Sequence, residues 1–183
     1  MKPNSHKAWN IRRLDVRAFA EAEAHWHETR SITDLERLSQ ECGEKNAKLP
    51  EVFWEARGEM RPGTAGALHV WLHLRASTCI PLTCQRCLGV VEIPLGVDRW
   101  FRFVVDESTA ESQDDDSEED VLSMEPRPNL LALLEDELLM ALPLVPMHET
   151  CPQTLGNPAR EIEAALTEPV ATRPFSVLSK LKS

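Results

Sequence analysis

The residues best suited to chemistry fall into two pairs with one spacing. Cys84 and Cys87 bracket Gln85-Arg86, and His148 and Cys151 bracket Glu149-Thr150. Two cysteines three positions apart can chelate one zinc ion through a knuckle turn, but a lone CxxC is only half a site. His148 and Cys151 offer the other half, completing a Cys₃His tetrahedron, with Pro81, Pro143 and Pro146 stiffening the turns nearby. The same residues also read as four reduced, partly buried side chains without metal. A redox CxxC wants its first cysteine at a helix N-terminus within a βαβ unit, and strand-like sequence follows here. If zinc binds, the two pairs must meet in space, with ligand atoms roughly 4 Å from one another. Zinc is therefore the one cofactor the residue types admit. The chain has five cysteines, an odd number without the spacing of a small secreted disulfide framework. In a reducing compartment they are thiols or metal ligands.

Other candidates carry less. His69 and His73 lie in an alternating segment, where four residues span about 13 Å, too far to share an ion; they read as surface or interface residues. His25 and His27, read as helical, point to different faces. His27-Glu28 and His148-Glu149 lack the second histidine of HExxH. Glu135, Asp136 and Glu137 are consecutive on an expected helix and fan over about 200°. They read as a solvated face rather than as paired acid–base groups. There is no GxSxG, no Ser/His/Asp order, no GxGxxG and no GxxxxGK[ST]. The catalytic inventory is thus empty, and the chain reads as a non-enzyme.

The elements that must position these residues point to an α+β fold, an antiparallel sheet packed against a few helices. Residues 1–45 read as helical: Asp15 caps a helix over Val16 to His27, and Thr33 with Glu36 makes a capping box for a second helix stopped by Gly43. The sheet occupies 50–105. Leu68, Val70, Leu72 and Leu74 alternate with His69, Trp71, His73 and Arg75, which is strand periodicity. Val52 to Ala56 is the partner across an MRPGTAG turn, and Val90 to Leu95 and Arg99 to Val105 read as two further strands. On the last of these, Arg99, Phe101 and Phe103 share one face and Trp100 and Arg102 the other.

Residues 107–128 read as a disordered acidic loop. Glu111 to Asp120 holds seven acids and no apolar residue, a solvated linker or a decoy for a basic partner. Residues 129–151 read as helix and turn. Asn129 caps it, Leu131, Leu134, Leu138 and Leu142 form an apolar stripe, and Pro143 ends it. Residues 152–183 read as linker and tail, with Phe175, Leu178 and Leu181 on one potential face. All of this is expected to form one domain of 183 residues.

Charge narrows the partners. Twenty Lys and Arg stand against thirty Asp and Glu, a formal charge of −10. Such a surface repels phosphate at long range, which argues against a free-standing, sequence-blind nucleic-acid binder. No apolar stretch approaches a membrane span, and the basic N-terminus lacks an apolar signal core. A cytoplasmic location and no membrane partner are expected.

Three blocks bear a likeness. They are Leu82-Thr83-Cys84-Gln85-Arg86-Cys87-Leu88, the Leu130 to His148 block with its E-D-E-L-L helix ending in L-P-x-x-P-x-H, and the terminal Arg173 to Lys182. In these, and in their order, the chain resembles the YceD family of large ribosomal RNA subunit accumulation proteins, over roughly Ile11 to the end. The resemblance implies a bacterial ribosome-biogenesis role in synthesis, processing or stability of the 23S rRNA, with no catalytic activity. Some relatives carry a fuller cysteine set after the L-P-x-x-P turn, where this chain keeps only His148 and Cys151. Together with the charge, this favours contact with a ribosomal protein or a pre-ribosomal particle of the large subunit over a grip on naked RNA. The alternatives are an RNA-processing enzyme using Glu135, Asp136 or the Cys84/Cys87 site, and an acidic module sequestering a basic partner.

Overall fold

The structure is a computed structural model that describes residues 9–43, 50–63, 66–115 and 117–151. Alternation builds its sheet. In β3 (Leu68–Thr83), Val70, Leu72, Leu74, Ala76, Thr78 and Ile80 are buried, and the residues between them are exposed or half-buried. β2 (Glu51–Pro62) pairs antiparallel on one side, burying Val52, Trp54 and Ala56. β4 (Val90–Val104) pairs antiparallel on the other, with Phe103 opposite Val70 and Phe101 opposite Leu72. β1 (His25–Ser31) flanks β2, and the short β5 (Asp120–Ser123) runs parallel to the end of β4, giving the order β1-β2-β3-β4-β5.

The apolar face of the sheet is covered by α1 (Val16–Glu21) and α4 (Leu130–Met140), and α2 (Glu36–Glu41) packs against α4. Phe19, Leu38, Leu134 and Leu138 are fully buried, and each such side chain contributes about 1.5–3 kcal/mol. Gly58 lets α1 approach β2: a Cβ there would lie 2.8 Å from the Ala20 Cα. The arrangement is α+β, as the periodicities predict. A division of the chain falls after Met147. Every helix and strand named here precedes it, and beyond it only His148–Cys151 is described.

Several elements differ from the sequence reading. Asp15 does cap α1, accepting from the Ala18 N–H at 3.0 Å. The helix ends at Glu21, not His27: Glu23 takes φ 47°, and His25–Ser31 is a strand. His25 and His27 therefore share a strand face with rings 5.6 Å apart. The Thr33–Glu36 capping box does not form. Ser31 instead caps a single 3-10 turn over Ile32–Asp34, and Leu35 at the start of α2 supplies no side-chain cap.

The two strands expected after residue 90 are one strand. Pro94 is tolerated because β5 pairs only with Phe101–Val104, so β4 is a sheet edge over Val90–Trp100. The acidic segment is also a correction. Within 107–128 stand a helix, α3 (Glu107–Asp114), and strand β5. Asp106 caps α3 through the Thr109 N–H at 2.9 Å, and Ala110 and Val121 are buried. The ordering centre is Arg102, only 8 % exposed, which donates to Glu119 at 2.9 Å, Gln113 at 2.7 Å and Ser117 at 2.8 Å. A buried cation needs such partners, and one acid, one amide and one hydroxyl from a segment that looks purely solvated in sequence supply them. The reading of 152–183 as linker and tail lies outside the described residues.

Candidate functional site

β2 pairs with β3 only over Leu68–Ser77, so Thr78–Thr83 and Val90–Leu95 run on as a two-stranded ribbon beyond β2. Its tip is Cys84–Gly89. The Cys84 N–H donates to the Gly89 carbonyl at 2.8 Å, and the Leu88 N–H to the Cys84 carbonyl at 2.9 Å. Leu88 sits at φ 59°, the left-handed conformation that closes this turn. Cys84 is fully buried and Cys87 half-buried. The Gln85 N–H reaches the Pro146 carbonyl at 2.9 Å, fixing the L-P-x-x-P segment to the ribbon tip.

Cys84, Cys87, His148 and Cys151 form a group that could hold a metal ion: one ligand atom from each lies within 4.8 Å of the others. Three sulfurs and an imidazole are a soft-to-borderline donor set of the kind that suits zinc. A zinc tetrahedron with sulfur about 2.3 Å from the ion places its ligand atoms roughly 4 Å apart. The residues fit the ion. The other two cysteines stand elsewhere. Burial, then the Glu92 carboxylate, pushes the Cys42 and Cys79 thiols up, which keeps them protonated and poor nucleophiles.

The three consecutive acids of α4 are not a solvated face. Glu135 and Glu137 are 8 % and 6 % exposed, and only Asp136 faces solvent. Glu135 accepts from the Arg37 N–H at 2.7 Å and the Leu38 N–H at 3.2 Å, capping α2 from another helix. It also takes the Arg37 Nε at 3.0 Å, while Asp136 takes Nη1 at 2.6 Å. The hydrogen bonds to Asp136 and Glu135 push the Arg37 guanidinium pKa further up. Glu137 lies 3.8 Å from Arg99, which is also paired with Asp120. Burial pushes the Glu137 carboxyl up, opposed by Arg99 and reinforced by Asp120 and Asp136. Against the sequence reading that the acids fan apart, Glu135 and Asp136 converge on Arg37, and only Glu137 turns elsewhere, toward Arg99.

The opposite sheet face carries a cluster that spacing had singled out only in part. His73 stacks on Trp100 with centroids 4.2 Å apart and planes at 5°, and Trp71 meets Trp100 edge-on at 6.4 Å. The Arg61 guanidinium lies 3.7 Å from the Trp100 ring centre and 4.6 Å from that of Trp71. Asp98 bonds His73 at 2.6 Å, and this bond holds the Asp98 carboxyl below its usual range. Placing Trp100 and Arg102 on one strand face was right. Arg61 and His73 come from other strands, and only the register joins them. A shallow groove of about 550 Å³ on this face runs between Phe53, Glu55, Arg75 and Asp98 and touches none of the metal-site residues.

A five-stranded α+β sheet whose longest hairpin carries a cysteine knuckle, pinned to the turn after a leucine-rich helix, defines the class of protein. Residues 72–182, more than half of the chain, match the model of the family "Large ribosomal RNA subunit accumulation protein YceD". The chain belongs to this family. The match takes in the knuckle, α4 and the tail; the likeness read from Ile11 onward lies outside it as far as residue 71. No curated protein and no solved structure matches the chain.

Proposed function

We propose that the chain is a non-enzymatic ribosome-biogenesis factor that supports synthesis, processing or stability of the 23S rRNA in the bacterial cytoplasm. The observation that carries this is the family match over 72–182, which contains both the knuckle and α4. The α4 acids favour a non-enzymatic role, because Glu135 and Glu137 are engaged with Arg37, two α2 amides and Arg99 rather than open to a substrate. No helix among the described residues is long and apolar enough to cross a membrane. A net charge of −10 favours a protein of the large subunit or its precursor particle over naked RNA as the direct contact. The test is the ratio of large- to small-subunit rRNA in cells lacking the chain.

In this reading Cys84, Cys87, His148 and Cys151 would hold zinc. With four protein ligands the ion would supply a structural cross-link, since a closed tetrahedron leaves no position for substrate. Assembly of such a site is coupled to folding.

A further inference from the structure

The Leu88 N–H donates to the Cys84 carbonyl at 2.9 Å, which closes one helix-like turn over Cys84-Gln85-Arg86-Cys87. Cα atoms three positions apart in such a turn lie about 5 Å from each other, and a disulfide spans Cα separations of roughly 4.4–6.8 Å. The Cys84 and Cys87 sulfurs already lie within 4.8 Å of each other, and neither is in a disulfide. The backbone of the turn therefore admits a bond between them. Burial separates their roles. Cys87 is half-buried and Cys84 fully buried, so an oxidant meets Cys87 first and Cys84 stands beside it as the resolving thiol, as in redox-sensing pairs. The chain supplies its own contrast. Cys79 is exposed, but burial and then the Glu92 carboxylate hold its thiol, like that of Cys42, protonated and slow to react.

We infer that Cys84 and Cys87 are a reversible dithiol–disulfide couple, closed by a peroxide and reopened by a thiol reductant. In the forward direction the Cys87 thiolate attacks a peroxide oxygen, the O–O bond breaks, hydroxide leaves and Cys87 becomes a sulfenic acid. The Cys84 thiolate then attacks the Cys87 sulfur. The S–O bond breaks, a second hydroxide leaves and the S–S bond forms. The sulfur pair loses two electrons and the peroxide gains two, while two protons from solvent convert both hydroxides to water. A disulfide takes away two of the four donors, so oxidation and metal binding exclude each other. The inference rests on the zinc reading above only for the ion displaced.

The test treats the reduced, full-length chain, as purified, with a small excess of hydrogen peroxide. Remaining thiols are alkylated and mapped by peptide mass, and released zinc is read with a chromophoric chelator. The expected result is one intramolecular Cys84–Cys87 disulfide, formed at least tenfold faster than Cys42 and Cys79 are lost. Zinc should leave at the same rate, and dithiothreitol with added zinc should reverse both changes. Cys151→Ser, which keeps both members of the pair, should form the same disulfide. A bond to Cys151, a bond between chains, Cys87 sulfinic acid without a disulfide, or equal loss of all five thiols overturns the inference. Two further outcomes separate the couple from the metal. Bound zinc that peroxide fails to displace overturns the couple and leaves the metal reading standing. A chain without zinc that still closes the disulfide upholds the couple and ends the metal reading.

Discussion

The Glu135 carboxylate accepts the Arg37 backbone N–H at 2.7 Å across 98 residues of sequence. One oxygen serves two amides at the start of α2, and the other takes the Arg37 side chain. A helix start normally draws its acceptor from the preceding residue, but Leu35 has none to give. The α4 helix, inside the family match, thus caps a helix that lies outside it. This tie joins α2, which lies before the matched region, to α4 within it.

Glu135→Ala should therefore cost on the order of 3 kcal/mol, because it orphans two amides and removes one of the two carboxylates that hold the Arg37 guanidinium. Glu135→Gln, which keeps an acceptor oxygen, should lose less. Urea unfolding of the two variants reads this directly. A loss below about 1 kcal/mol for the alanine variant would show that water replaces the carboxylate freely.

The sheet face is tested by Leu72→Asp. Leu72 is fully buried on the central strand, so the variant buries an unpaired charge and should lose several kcal/mol, roughly 3–5. A wild-type thermal midpoint would mean the strand register is wrong.

Much of this fold is legible because it is local. Asn129, the leucine stripe and Pro143 each act within a few residues, and so do the alternations of β2 and β3. Polar alternation in His25–Ser31 hides an edge strand, since its burial depends on β2 rather than on its own composition. The order in Glu107–Ser123 depends on Arg102, whose acidic and amide partners carry no apolar signal. The candidate site divides in the same way. The cysteine and histidine spacings are visible in one dimension, but the Glu135 cap and the Arg61–Trp100–His73 stack exist only once strands and helices are brought together.

Arg102 supplies the next prediction. Removing it with Arg102→Ala leaves Glu119, Gln113 and Ser117 without their shared donor, so α3 and β5 should loosen while β2 and β3 stay protected. Amide exchange over Glu107–Ser123 should accelerate at least tenfold. Unchanged exchange there would show that Ala110 and Val121 hold the segment unaided.

Glu137 predicts a pH dependence. Its carboxyl titrates higher in the folded chain than in the unfolded chain, mainly through burial. The folded state then binds the extra proton, so the favourable contribution is fully present below the ordinary glutamate range and is lost as pH rises through the raised value. Glu137→Gln should remove that loss: its stability relative to wild type should improve from acidic to neutral pH. A deficit that grows as pH rises would mean that the ionised carboxylate is held favourably by Arg99.

For the metal, the full-length chain purified from zinc-replete cells should carry one zinc ion, and Cys84→Ala should lower both the metal content and the thermal midpoint. A variant that keeps the full zinc complement, or a metal-free wild type indifferent to added zinc, would leave a reduced thiol cluster in its place.

The central claim is that this chain supports the large-subunit rRNA, and the most direct measurement is the ratio of 23S to 16S rRNA in cells from which its gene is deleted. The account predicts a ratio below that of the parent strain, restored when the wild-type gene is supplied again. A ratio unchanged by the deletion would contradict it.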